Sequence, residues 1–273
     1  MSNGVTSTTE ASRTPEGHPA PRVDTGFRRL ERVLSVMRSH PEQTHTTRSL
    51  ANIAAVSPYH FNRIFRRATG LPPAQYLCAL RIEAAKRLLL TTSLHVTDIC
   101  FDVGYSSLGT FVTRFTQLVG LSPRALRQAA ENFRPDHMRR VGELIQDRRS
   151  REGFPPVLLA HIDAPPDFEG VIFVGVFHTL MPHAAPVRCQ ILDGPGVFEL
   201  QNVPAGTYYI AAAGFPWEAD ISHLLLDCVL RGSYGPIVVS DAVNVLPDFP
   251  IRKPSLEDPP ILAAFPLLWV TQQ

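Results

Sequence analysis

The sequence predicts a two-part chain: an all-α double helix-turn-helix region followed by an antiparallel β-sandwich. Three observations carry this expectation. Apolar side chains recur at helical spacing from Phe27 to about Ala130. After Phe154-Pro155-Pro156 they give way to short β-rich runs punctuated by Pro and Gly. Charge also changes sign between the two parts: residues 27–130 hold 14 basic and 5 acidic side chains, and residues 154–273 hold 4 and 12. The overall net charge of +1 therefore conceals a basic half suited to a polyanion and an acidic half that is not. A length of 273 residues accommodates two domains, and 44% apolar residues suffice to build their cores.

Other classes are excluded early. The opening MSNGVTSTTE lacks the cationic start and apolar run of a signal peptide. The apolar stretch ILAAFPLLWV (261–270) is too short to span a bilayer and contains Pro266, so no membrane partner is expected. Cys78, Cys100, Cys189 and Cys228 are scattered without metal or disulfide spacing, which suits a reducing, cytoplasmic setting.

Residues 1–26, rich in Ser, Thr, Pro and Gly, read as a disordered tail. Phe27, Leu30, Val33, Leu34 and Met37 then mark one face of a helix that ends at His40-Pro41. In TTRSLANIAAVSPYHFNRIFRRATG (46–70), Thr46 caps a short helix with Leu50, Ala51 and Ala54, and Val56 closes a turn. Ala51, Ala54 and Ala55 are small enough for a steep crossing. Ser57-Pro58 starts a second helix by offering a side-chain acceptor and then a residue with preset φ. Its Phe61, Ile64, Phe65 and Ala68 turn inward, leaving Tyr59, Asn62, Arg63, Arg66 and Arg67 on other faces. Alone, such a motif is equally two packed helices with a solvated basic face.

The chain repeats the pattern about fifty residues later in VTDICFDVGYSSLGTFVTRFTQLVGLSP (96–123). Ile99, Cys100 and Val103 form a short helix, Gly104 makes the turn, and Ser106 or Ser107 caps a helix whose Phe111, Phe115 and Leu118 face inward. Gly70-Leu71-Pro72-Pro73 and Gly120-Leu121-Ser122-Pro123 end the two units alike. A helix over 74–90 joins them and sets their separation. Two such helices reach successive major grooves, about 34 Å apart, only on one side of a bent or unusually phased duplex.

Over residues 27–130 the chain resembles the DNA-binding domain of the AraC/XylS family of bacterial transcription regulators. The residues carrying the resemblance are Arg81-Ile82, Ala85, Leu88-Leu89, Ile99-Cys100, Val103-Gly104-Tyr105, Phe111, Phe115, Gly120, Ser122-Pro123 and Arg127. Cys100 stands where the family usually has Ala, and Tyr105 where it often has Phe. The resemblance implies double-stranded promoter DNA as partner and base contacts from Tyr59, Asn62 and Arg63. Arg63 suits guanine and Asn62 adenine. In the second unit the corresponding positions are Leu108, Gly109, Val112 and Thr113, none a strong hydrogen-bond donor. The first unit is therefore expected to carry most base specificity and the second to position the complex. Phosphate contacts are expected from Thr46, Ser57, Arg66, Arg67, Ser107 and Arg114.

Residues 131–155, with mixed charge around Val141, Leu144 and Ile145, read as a solvated helical linker, and 156–273 as the β-sandwich. Strands are expected at 171–177, 187–192, 197–203, 207–213 and 236–240, while 221–230 is open between a strand and a short helix. F-x-L-x-x-V-P-x-G-x-Y-x-I, from Phe198 to Ile210, resembles a hairpin of prealbumin-like or carboxypeptidase-regulatory-like domains, which implies a fold and no activity. Cys189 and Cys228 are expected as core thiols on alternating strands. Trp217 either lines a ligand pocket, with Tyr208, or plugs the sandwich end.

No nucleophile elbow, phosphate-binding loop or HExxH motif occurs, and His178 and His183 lack a Glu or Cys partner. No enzyme activity, cofactor or metal is expected. The β-sandwich is expected to tune DNA binding through a small-molecule effector, dimerisation or contact with RNA polymerase. Its acidity also suggests electrostatic shielding of the basic half. Alternatives are an effector-independent DNA-binding protein and, remotely, a fusion with DNA-alkylation repair, which needs a reactive cysteine setting not found here. Both a monomer and a homodimer are compatible, since one chain carries two reading helices.

Overall fold

The computed structural model describes residues 25–133, 158–226, 228–240 and 242–264. The expected tail and the charged linker around Val141, Leu144 and Ile145 lie outside these, apart from their margins, as does the side chain of Phe27.

Seven helices come first. Helix α1 (Thr25–Ser39) buries Leu30, Val33, Leu34 and Met37, the predicted stripe. Next come α2 (Thr47–Ile53) and α3 (Pro58–Thr69), then α4 (Pro73–Thr91), and then a second pair, α5 (Val96–Asp102) and α6 (Leu108–Val119). Helix α7 (Pro123–Glu131) closes the set. At 19 residues, α4 is roughly 28 Å long. Ala51 and Ala54 are buried where α2 meets α3, as their size suggested. Ala55 is exposed and makes the turn itself at φ 51°, with Val56 half-buried behind it. Ala68, expected inward, is also exposed. In the last turn of α3 the buried place goes to Thr69, whose hydroxyl donates to the Phe65 carbonyl at 2.9 Å.

Two sheets follow. In one, β1 (Leu158–Asp163) pairs antiparallel with β4 (Gly196–Leu200) and parallel with two short strands, β7 (Asn244–Val245) and β8 (Phe249–Pro250). The other is antiparallel in the order β3 (Arg188–Leu192), β2 (Gly170–Phe177), β5 (Gly206–Pro216), β6 (Leu230–Val239). The parallel partners of β1 depart from the all-antiparallel expectation. Residues 221–226 form the short helix α8 (Ile221–Leu226), which resolves that ambiguity. Cys228 lies between α8 and β6, not on a strand, and both it and Cys189 are half-buried.

Strand β2 is buried along its whole length, which is why VIFVGVF reads as a continuous apolar run without alternation. Ile172, Val174 and Val176 join Phe198, Ile210 and Phe249 in a core shared by both sheets. Val171, Phe173 and Phe177 point the other way, toward α8 and the helices. There the two parts of the chain meet. The core of the helical part includes Met181, Leu225, Leu262 and Ala264. The amides of Ala184 and Ala264 donate to the Leu118 and Val119 carbonyls at the end of α6, at 2.8 and 3.0 Å. Such terminal carbonyls have no partner within their own helix. Residues 254–264 cross α1 and α4: their carbonyls at Leu256, Asp258 and Ile261 accept from Tyr76 (2.7 Å), Arg38 (2.7 Å) and Lys86 (3.1 Å).

Candidate nucleic-acid interface

The two helical units are built by the same local chemistry. Thr46 and Ser49 form a reciprocal capping box at the start of α2, with both bonds at 3.0 Å. Ser57 Oγ accepts from the His60 amide at 3.3 Å and Ser107 Oγ from the Thr110 amide at 3.4 Å, which identifies Ser107 as the cap of α6. Both helices end on a left-handed glycine, Gly70 at φ 74° and Gly120 at φ 89°. Inside, Phe61 and Phe65 sit 5.4 Å apart with Tyr76 against Phe65, and Phe111 and Phe115 sit 5.6 Å apart with Tyr105 against Phe111. These rings hold the inner faces and turn the remaining residues outward.

The outer face of α3 carries Tyr59, which is 83% exposed, together with exposed Asn62, Arg63, Arg66 and Arg67. Arg63 Nη2 lies 3.3 Å from His60 Nδ1, so His60 helps to set the direction of the guanidinium. On α6, Leu108, Gly109, Thr113 and Arg114 are exposed and Val112 is half-buried. Neither helix carries a carboxylate. Thr46, Ser57 and Ser107 are exposed, and a hydroxyl that accepts a capping bond keeps its own proton to offer a phosphate oxygen.

Arg81, prominent in the sequence only as a motif letter, fixes one unit against the other. Its Nε donates to the Pro41 carbonyl at 2.8 Å, Nη1 to Gly104 at 3.0 Å and Nη2 to Gln43 at 3.0 Å. The segment entering α2 is thereby tied to the turn between α5 and α6. Arg127 similarly meets the Leu89 and Thr92 carbonyls at the end of α4, at 3.1 and 3.3 Å. The sequence did not reveal these roles, because a donor to main-chain carbonyls of distant segments leaves no local pattern. Tyr105 places its hydroxyl 3.5 Å from Cys78 Sγ, and burial, then Cys78, push its phenol well above the ordinary range.

The β region packs at the C-terminal end of α6, through the Leu118 and Val119 carbonyls, and leaves Leu108, Gly109 and Thr113 exposed at the other end. Trp217 is 38% exposed beyond β5, and Tyr208 is buried in the shared core of the two sheets, against His178. Among the described residues, His161, Asp163 and Asp248 have ligand atoms within 4.8 Å of one another, and His161 is paired with Asp163 at 3.1 Å.

Comparison with known proteins finds matches to the helical part. Residues 50–129 match the family described as a helix-turn-helix domain. Over 86 residues the chain is 35% identical to the bifunctional transcriptional activator/DNA repair enzyme AdaA of Bacillus subtilis, covering 32% of this chain and 41% of that one. Over 103 residues it is 30% identical to the HTH-type transcriptional activator RhaS of Enterobacter sp., covering 38% and 37%. A solved structure, the DNA-binding domain of AdpA in complex with a target DNA, is 32% identical over 39% of this chain and 96% of that one, with a TM-score of 0.37. Another, an AraC-type regulator from Chromobacterium violaceum, is 27% identical over 37% and 91%, with a TM-score of 0.36. The chain spans about two fifths of the length of the curated relatives it matches.

Proposed function

We propose, from the premise that residues 50–129 are an AraC-type helix-turn-helix domain, that this chain is a sequence-specific DNA-binding transcription regulator. The observation that carries the reading is the repeated pair α3 and α6, capped alike, free of carboxylates, with every candidate base contact but the half-buried Val112 exposed. In this reading Tyr59, Asn62 and Arg63 read bases, while Leu108, Gly109, Val112 and Thr113 fit a neighbouring groove. Thr46, Ser57, Arg66, Arg67, Ser107 and Arg114 meet phosphates. Residues 27–130 form the DNA-binding domain and 156–273 a β-sandwich that tunes it, an architecture supported by the core common to both sheets. Effector binding, dimerisation and polymerase contact are the routes by which it would act.

The reading assigns no DNA-repair chemistry. Cys100 is buried, with its thiol pushed up by that burial, and Cys78 lies beside the Tyr105 hydroxyl. A buried thiol held protonated is a poor nucleophile.

Selection of binding sites from random DNA by the full chain tests the proposal. A bipartite motif is expected, with sharper base preference in the half read by α3. Arg63→Ala should cost about 1–3 kcal/mol and relax one base position. Equal loss on every sequence would reassign Arg63 to phosphate, and absence of any enriched motif would overturn the function.

A further inference from the structure

Between the helices and the β region lies a cavity of about 230 Å³. Its floor is the outer face of the β3-β2-β5-β6 sheet, and the strand register shows where the room comes from. Phe173, Ala213 and Arg231 stand in one cross-strand row, and Gly175, Ala211 and Ser233 in the next. The Phe177 ring lies across Gly175, and the Phe173 and Phe215 rings touch edge to face at 5.7 Å. The open part of the floor is therefore Ala211 and Ala213, which stay half-exposed in the middle of β5 although Arg38 of α1 and Glu83 of α4 face this sheet. Ala is a poor strand former, so two of them in mid-strand run against local preference. Protein interiors rarely tolerate voids much larger than a water. Leu224 and Leu225 of α8 wall one side of the cavity.

The charged part of the lining is balanced and already engaged. Among the described residues it consists of Arg38 and Arg231 against Glu83 and Asp258. The Asp258 carboxylate is held by Arg252 through bonds of 2.8 and 3.0 Å and by the Ser255 amide at 2.7 Å. Arg231 donates to the Pro259 carbonyl at 2.7 Å and lies 3.9 Å from Asp258. Arg38 donates to the main-chain carbonyls of Leu256 and Asp258, the latter at 2.7 Å. Glu83 has a partner of its own. A guest with a net charge, or with two separated charges, has to break one of these pairings or be buried without a counter-ion, and both are costly. The rest of the lining is chiefly apolar, which favours a guest that is apolar too.

We infer that this cavity binds a neutral, mainly apolar molecule of about two fused rings, lying over Ala211 and Ala213, against Leu224 and Leu225, and beside the paired rings of Phe173 and Phe215. An apolar cavity of about 150 Å³ admits benzene, so one about half as large again suits a second ring. The site rests on its own geometry; only its meaning as an effector site rests on the regulator reading. An occupant meets residues of α1 and α4 on one side and the sheet on the other, so it bears on the junction between the two parts.

Calorimetric titration of the full chain with indole, and with the same rings carrying an anion (indole-3-acetate), a cation (tryptamine) or both charges (tryptophan), tests the site. Indole is expected to bind saturably with one-to-one stoichiometry, at least about tenfold tighter than each charged relative. Saturating indole should also raise the melting temperature of the chain. Ala213→Leu and Ala211→Leu, which fill the floor from two positions, should each weaken indole about tenfold or more. Circular dichroism shows which variants fold, and the charge series on the unaltered chain decides the matter should neither do so. Absence of saturable indole binding, a charged relative binding as tightly as indole, or unchanged affinity in a folded floor variant would each overturn the inference. Saturable indole binding by a chain that selects no DNA sequence overturns the regulator reading and leaves the cavity assignment standing.

Discussion

Two glycines near the second unit separate backbone need from surface role. Gly104 turns the chain at φ 84°, and a Cβ there would lie 2.4 Å from the Glu42 carbonyl oxygen. Gly104→Ala should therefore destabilise the protein by more than about 1 kcal/mol, read as a lower midpoint in urea unfolding. Gly109 has helical backbone and nothing within 4 Å of a would-be Cβ. Gly109→Ala should raise stability by about 0.5–1 kcal/mol while weakening DNA binding, if the backbone of α6 approaches the duplex there. A variant both more stable and undiminished in DNA affinity would remove Gly109 from the interface. At this scale the sequence was most legible where a residue acts on its own helix. Ser57, Pro58, Gly70 and Gly120 announced the ends of α3 and α6 by composition alone. Arg81 did not announce its task, since Pro41, Gln43 and Gly104 come together only in the folded chain.

The loop between β2 and β3 yields a prediction in pH. His183 has its pKa lowered by burial first and then by the nearby Arg114 charge, and its Nδ1 is buried without a hydrogen-bond partner among the described residues. The folded state thus takes up the proton less readily than the unfolded chain, whose imidazole titrates near ~6.5. Stability should be at its full value above about pH 6.5 and fall as the pH drops through it toward the lower folded value. Thermal melts across that interval check this, and His183→Gln should flatten the slope. A wild-type slope unchanged by the substitution would reassign the dependence. Legibility differs between the elements of this part. Strand β2 was found because six large apolar residues lie within eight positions. Strand β1 was missed because in LLAHID the apolar Leu158, Leu159 and Ala160 are consecutive and only Ile162 continues an alternation, and β7 and β8, two residues each, carry no periodicity at all. Cys228 was misplaced because only Asp227 interrupts the apolar side chains between the end of α8 and the start of β6, so no local signal separates the two.

Across the whole molecule, the charge split foretold two parts but not how closely they are joined. The sequence gives no sign that Met181, Leu225, Leu262 and Ala264 complete the helical core, because contacts of such sequence separation obey no local rule. Tyr76 shows the depth of the junction: its hydroxyl bonds to Leu256 at 2.7 Å, and burial, against the nearby Arg38, pushes its pKa up to about 12. A fragment of residues 25–133 should accordingly melt several degrees below the full chain and bind an apolar dye more strongly. Equal melting temperatures would show that the junction adds little to the helical part.

The end of α6 has its last carbonyls answered by amides from the other half of the chain. Exchange of the β region by recombination within 134–157 is thereby constrained. A foreign module joined there would arrive without donors for Leu118 and Val119, acceptors for Tyr76 and Lys86, or apolar groups to cap the bundle. The helical part and the β region have to evolve as a matched set.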